Sequence, residues 1–262
     1  MPRARSNLYL SFFLCVLSVS VANSLRQTMR ATNFEFRHRS LLNLLHFWIA
    51  FQLYSVDHVN FVWALVRPAN PRTSLPVHLI FGFGALLVAL AAAIRTWAAA
   101  YLRSDVVHDE ALHAETLVAD GPFRYVRNPL YLGTFLLCVG FGLLASRAGF
   151  VVLVGGAAVR ILRLIGREEA ELEKQQGPAF REFCSRVPRL LPALRPRVPA
   201  AGLRPQWGQA FRGEAFMWGF SITLIAFAIT LRARVADILG GTTLALWLLQ
   251  RLTQRRSKTA RP

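Results

Sequence analysis

The chain has 262 residues, of which 54% are hydrophobic, a mean hydropathy of +0.36 and a net charge of +17, from 31 Lys+Arg against 14 Asp+Glu. Several apolar runs are long enough to cross a hydrocarbon core of about 30 Å, which takes about 20 helical residues, and this excludes an ordinary soluble domain. The arginines are spread over many loops and match no nucleic-acid-binding motif; they fit the excess of basic residues in cytoplasmic loops and the pull of anionic headgroups instead.

In chain order, Arg3 and Arg5 precede an apolar run, Leu8–Ala22, expected as a retained first helix rather than a cleaved signal peptide. A polar loop over 25–40 carries Arg26, Arg30, Arg37 and Arg39. The next apolar stretch, Leu41–Val66, is interrupted by Asp57-His58, expected at the lipid boundary or in a helix break. Pro68, Pro71 and Pro76 mark a turn. Leu75–Leu102 reads as a long span in which Gly82, Gly84, Ala89, Ala91, Ala92 and Ala93 let helices approach closely. Near its end Arg95 is placed to snorkel and Trp97 to anchor at the interface.

A polar loop covers 103–128. Its His108, Asp109, Glu110, His113 and Glu115 invite a metal, but His108 and His113 do not share a helix face and no HExxH is present, so no metal is expected. Within it begins the strip around which the chain is organised, Gly121–Gly133, read as GPFRYVRNPLYLG, with Pro122 and Pro129 as helix breakers. Apolar runs Leu130–Ala145 and Gly149–Ile165 form a helical hairpin with Ser146 and Arg147 at its tip. Arg160, Arg163, Arg167 and Glu171 recur at three and four, on one face of the helix leaving the membrane. A second polar island, Arg167-Glu168-Glu169-Ala170-Glu171-Leu172, leads into GPAFREFCSRVPRLLP over 177–192 and a proline-rich surface segment to Pro205. Phe216–Leu231 and Ile238–Leu249 are two further apolar runs, and the basic tail after Gln250 is expected to be disordered. Cys15, Cys138 and Cys184 have no paired spacing, so neither a disulfide framework nor a CxxC metal knuckle is expected.

The expected fold is all-α: a polytopic membrane bundle of about seven transmembrane helices. It divides into 1–74 (N-terminal helices), 75–195 (core) and 196–262 (surface segment, two C-terminal helices and basic tail). The arginine-rich loops place both polar strips on the cytoplasmic side of an inner or plasma membrane. A hairpin joining two polar strips brings them to the same membrane face, where a site can form at the water–lipid boundary.

The strips resemble the isoprenylcysteine carboxyl methyltransferase family, whose core the phospholipid methyltransferases share. The matching residues are Arg127-Asn128-Pro129-Leu130-Tyr131-Leu132-Gly133, then Glu168-Glu169-Ala170-Glu171-Leu172, then Gly177, Phe180, Phe183, Val187 and Pro188, within Leu75–Pro192. Most family members have His where this chain has Asn128, although some phospholipid methyltransferases carry Asn-Pro there. The resemblance implies an S-adenosyl-L-methionine-dependent methyltransferase with a lipid-like or small apolar acceptor entering from the bilayer. Phospholipid N-methylation, methylation of a small thiol, and a catalytically silent scaffold that binds anionic lipid remain as alternatives.

By the same resemblance, cofactor contacts fall at His108, Glu115, Thr116, Leu117, Val118, Phe123, Asn128, Pro129, Leu130, Tyr131 and Glu168. The family's substrate-orienting arginine lies shortly before the paired glutamates. Leu164 holds that register here, and Arg163 and Arg167 are the candidates. Methyl transfer by in-line displacement asks for alignment and exclusion of water more than for a metal or a base. Arg124 and Arg127 could fork onto a carboxylate or anchor to lipid phosphate. Asn128 could bind the cofactor or cap the helix that starts at Pro129.

Overall fold

A computed structural model describes residues 30–66, 75–102 and 119–259, with side chains as far as Thr253. The expected first helix Leu8–Ala22, Pro68 and Pro71, and the loop residues His108 to Val118 lie outside them. The described residues are all-helical, with one isolated bridge between Asn60 and Ser146.

Among the described residues two helices are long and apolar enough to cross a membrane: α4 (Leu75–Tyr101) and α6 (Arg147–Gln176). A third candidate is a bent pair, α8 (Trp207–Gly213) and α9 (Ala215–Thr230), which meet at 59°. The expected count of seven is not reached among these residues, and the reasons are local. The Leu41–Val66 stretch breaks into α2 (Arg39–Gln52) and α3 (Phe61–Val66) around a 3-10 turn at Leu53–Ser55. The motif helix α5 (Pro129–Gly142) has 14 residues, about 21 Å at 1.5 Å per residue, short of a hydrocarbon core. The last helix, α10 (Ala233–Thr259), extends through the tail that composition marks as disordered.

The lipid-facing surfaces explain the composition. Leu79, Phe83, Leu86 and Leu90 recur at three and four along α4 and are all exposed. A stripe of that kind on a water-soluble chain would be an aggregation hazard; here it faces acyl chains, and the chain is an integral membrane protein.

Inside the bundle α4 packs on α5 and α9, and α5 packs on α6. Gly84 and Gly140 set the α4–α5 approach: a methyl on Gly140 would stand 2.8 Å from the Gly84 carbonyl oxygen and 2.5 Å from Val88. Of the two glycines expected to serve packing, Gly84 does so, whereas Gly82 faces open space.

The hairpin tip is clamped by Asn60. Its side-chain nitrogen donates to the carbonyls of Leu143, Leu144 and Ala145 at 3.0–3.1 Å, and its oxygen caps α3 by accepting from the Val62 amide. Asp57 lies in the break, accepts from Arg147 at 2.9 Å and from the Ala148 amide, and so compensates the N-terminus of α6. Those hydrogen bonds, Arg147 first, hold its carboxyl down at about 2.

Candidate active site

The hairpin brings the two strips together as their spacing predicts. Tyr131, on the first turn of α5, donates its hydroxyl proton to Glu168 Oε1 on α6 at 2.7 Å, and both side chains are largely enclosed. The Glu168 carboxylate lies within electrostatic reach of Arg39 and Arg167. A parallel set forms around Glu169: Arg189 at 2.9 Å, Arg127 at 3.4 Å and the Asn128 amide at 3.4 Å. Glu168 and Glu169 are consecutive, so the helix points them to different sides, one at the tyrosine and one at the arginines.

Asn128 occupies the cap position of α5 but makes no capping bond. Its side chain reaches across instead, donating to the Arg189 carbonyl at 3.1 Å as well as to Glu169. The capping role is thereby overturned: Pro129 at the first helical position has no N–H to satisfy, and the amide finds acceptors on the second strip. Pro129 is buried, Leu130 gives its carbonyl to Arg95 and Thr134, and Phe123 is half-buried in a 3-10 turn at Gly121–Arg124. Gly121 has φ +55° and lies against the Tyr101 ring, where a side chain would be both strained and obstructed.

Arg124 and Tyr125 serve the strip's own architecture. Arg124 Nε donates to the Val198 carbonyl at 2.9 Å, and the Tyr125 and Arg124 carbonyls accept from the Ala193 and Arg197 amides. Asp120, buried, accepts from the Ala201 and Leu203 amides. The proline-rich segment expected on the surface is thus a strap drawn across the first strip. Before it, α7 (Pro178–Arg186) buries Phe180 and Phe183 with Val187, the aromatic and valine positions of the motif.

Arg163 and Arg167 face a short N-terminal segment. Arg163 forks onto Glu35 at 2.9 and 3.2 Å, and its carbonyl accepts from the Ala31 amide. Arg167 donates to Asn33 Oδ1 at 2.6 Å and to the Ala31 carbonyl, and lies over the Phe36 ring at 4.9 Å. That segment is α1 (Asn33–Arg37), opened by a capping box in which the Thr32 hydroxyl and the Glu35 carboxylate exchange bonds with each other's amides. The neighbouring acids on α6 are engaged elsewhere: Glu169 takes Arg127 and Arg189, and Glu171 takes Lys174 and Gln175.

The Arg163 fork, foremost, draws the Glu35 carboxyl from 4.5 down to about 2. A depressed carboxyl contributes stability that is complete above its ordinary value and lost as pH falls through the folded one. Acidification from pH 4.5 to 2 is therefore expected to release α1 from α6. Pepsin cleavage at Phe34 and Phe36, normalised to the denatured chain, should rise across this range, and Glu35→Gln should already be cleaved at pH 4.5. Equal protection at both ends in the wild type would refute the pairing.

Sequence reasoning missed Arg95. It does not snorkel: Nε and Nη2 fork onto Glu214 at 2.7 and 2.9 Å, and Nη1 donates to Thr134 Oγ1 and the Leu130 carbonyl. Glu214 is fully buried at the bend between α8 and α9. The Arg95 stem also lies on Gly133, so the last glycine of the motif is the seat of this side chain. The available signal was a single arginine in an otherwise uncharged apolar run and an acid at the edge of another, but Arg212, two residues before Glu214, offers that acid a nearer base.

A cleft of about 530 Å³ opens beside Glu169, lined by Arg127, Glu173, Phe180, Arg181, Cys184 and Arg189. It adjoins the Glu169 cluster rather than the Tyr131–Glu168 contact. Burial raises the Cys184 thiol above its usual range. Among the described residues no group of three or more His, Cys, Asp or Glu is placed to hold a metal ion.

The chain is 28% identical over 116 residues to the cobalt-zinc-cadmium resistance protein CzcN of Cupriavidus metallidurans, covering 44% of this chain and 50% of that one. It is 27% identical over 111 residues to the nickel-cobalt-cadmium resistance protein NccN of Alcaligenes xylosoxydans xylosoxydans, covering 42% and 49%. The chain thus spans about half the length of the curated relatives it matches. No solved structure matches it. The phospholipid methyltransferase family model matches residues 79–178, a stretch that takes in most of α4, the first strip, α5 and α6 with both glutamates. Over residues 79–178 the chain is thus similar to the phospholipid methyltransferase family, that of the isoprenylcysteine carboxyl methyltransferase-like membrane methyltransferases.

Proposed function

We propose that the protein is an S-adenosyl-L-methionine-dependent methyltransferase of the membrane, acting on a lipid-like or small apolar acceptor. The observation that carries this is the Tyr131–Glu168 contact, which joins the two strips at the start of α5. Bound cofactor supplies a sulfonium methyl carbon, to which the acceptor's lone pair bonds as the carbon–sulfur bond breaks. The residues fit such a group: the Glu168 carboxylate can accept from an ammonium or a ribose hydroxyl, and the Tyr131 ring can lie against a cation or an adenine. Asn128, Pro129, Leu130 and Phe123 complete the described part of this wall, and His108, Glu115, Thr116, Leu117 and Val118 are assigned to it by family resemblance.

Arg163 and Arg167 are proposed to orient the acceptor, which requires it to displace Glu35 or Asn33. Labelled-methyl transfer into a membrane lipid and thiol extract, with mass identification of the product, tests the activity and names the acceptor atom. Arg163→Ala or Arg167→Ala should slow that transfer and leave cofactor affinity nearly intact, since the lost contact is to acceptor and transition state. Transfer at the wild-type rate in both variants would remove the orienting role.

We also propose seven spans, with both strips and the C-terminus in the cytoplasm, from the arginine asymmetry of the loops. Reporter fusions after Pro262 and within the 103–118 loop should both read cytoplasmic, and opposite readings would reject this topology.

A further inference from the structure

Arg160, Arg163 and Arg167 form a ladder on one face of α6, spaced three and four apart. The upper two rungs are engaged: Arg163 by a carboxylate, Arg167 by an amide oxygen and a carbonyl. The lowest rung is not. Arg160 donates from Nη1 to the Leu42 carbonyl at 3.4 Å, while Nε and Nη2 are shielded from solvent and have no hydrogen-bond partner. These two nitrogens form the edge of the guanidinium that grips a carboxylate or phosphate with two parallel bonds.

A second group faces the same seam between α2 and α6. His46 on α2 contacts the Val152 carbonyl through Nε2 at 2.9 Å, its ring seated against Gly156, and its Nδ1 is buried without a partner. The His46 ring and the Arg160 guanidinium lie within electrostatic reach of each other. Beside them Leu45, Val152 and Val159 are exposed, so the seam opens sideways onto the bilayer. An intramembrane arginine without an anion is costly, and the two orphaned guanidinium donors at this seam ask for an oxyanion.

We propose that Arg160, with His46 beside it, binds the oxyanion headgroup of an acidic amphiphile that enters from the bilayer between α2 and α6. The ligand class is a phosphate or carboxylate on an apolar tail, the head forked by Arg160 and the tail lying along the exposed valines. The site does not depend on the methyl-transfer assignment. It lies eight residues before Glu168, about 12 Å along the helix at 1.5 Å per residue.

The test uses full-length protein in zwitterionic detergent micelles at high salt, where exposed arginines are screened. Spin-labelled phosphatidic acid, fatty acid and phosphatidylcholine are the probes, read as the immobilised fraction by electron paramagnetic resonance. Wild type should hold at least one acidic probe about tenfold more tightly than phosphatidylcholine, and that probe should raise its melting temperature. Arg160→Met should bring the probes to parity and abolish the shift, and Arg160→Lys should keep part of the preference. Because Arg160→Met removes an unpaired buried cation, it should fold at least as stably as the wild type. Equal retention of the acidic probes by wild type and a folded Arg160→Met, or no preference in the wild type, overturns the site. Displacement by millimolar inorganic phosphate supports the oxyanion pocket and overturns its bilayer source.

Discussion

Replacing Glu214 by Ala is expected to destabilise the folded protein by about 3–5 kcal/mol, more than any other single change described above. The carboxylate is fully buried and accepts from Nε and Nη2, the two nitrogens on one edge of Arg95. Without it the guanidinium stays between α4, α5 and α9 with only a hydroxyl and a carbonyl to donate to. Arg95→Ala should cost a similar amount for the converse reason, an enclosed carboxylate left without a cation. The double variant Arg95→Met/Glu214→Leu should be less destabilised than either single one, because neither orphaned charge remains. Thermal unfolding in detergent distinguishes these outcomes. Single variants that melt within about 0.5 kcal/mol of the wild type, the range of ordinary surface changes, would show that the pair holds nothing together.

Glu168→Ala should weaken S-adenosyl-L-methionine binding by about 1–3 kcal/mol, the cost of leaving a buried donor or acceptor unsatisfied, which is about 5- to 150-fold in Kd. Tyr131 loses its acceptor in that variant and the cofactor loses the proposed partner for its ammonium or ribose. Tyr131→Phe separates the two effects: it removes the 2.7 Å hydrogen bond while keeping the ring. If the hydroxyl only orients Glu168, Tyr131→Phe should cost less than Glu168→Ala; if it also contacts the cofactor, the two should match. Calorimetry on purified, folded protein measures both, and unchanged affinity in both variants would discard this wall as the cofactor site.

Much of this was legible in the sequence. Two polar islands separated by an apolar hairpin have one compact arrangement in a bilayer, so the meeting of the strips that carry Tyr131 and Glu168 follows from spacing, whereas the contact of Asn128 with Glu169 does not. The aromatic positions Phe180 and Phe183 were legible as an amphipathic turn, and they are buried. The break near Asp57-His58 was legible as such, but the bonds that Tyr54, Asp57 and Asn60 make there to the hairpin tip are tertiary and were not. The partner of Arg163 was within reach: Thr32 followed three residues later by Glu35 is a helix-start signature that marks the 30–37 segment as ordered. That Glu35 also reaches Arg163, 128 residues further on, is tertiary information that no local pattern holds. The same is true of Arg95, which passes for an interfacial side chain until Glu214 is placed against it.

The separation of that last pair has a bearing on how the protein is made. Arg95 leaves the ribosome 119 residues before its counter-ion, and α5, whose Leu130 carbonyl and Thr134 hydroxyl it holds, is also complete before Glu214 exists. During synthesis the motif helix therefore enters the bilayer beside an uncompensated cation. It acquires its final anchor only when the bend ahead of α9 arrives, so the two polar strips and the C-terminal helices mature as a single event rather than in the order of the chain.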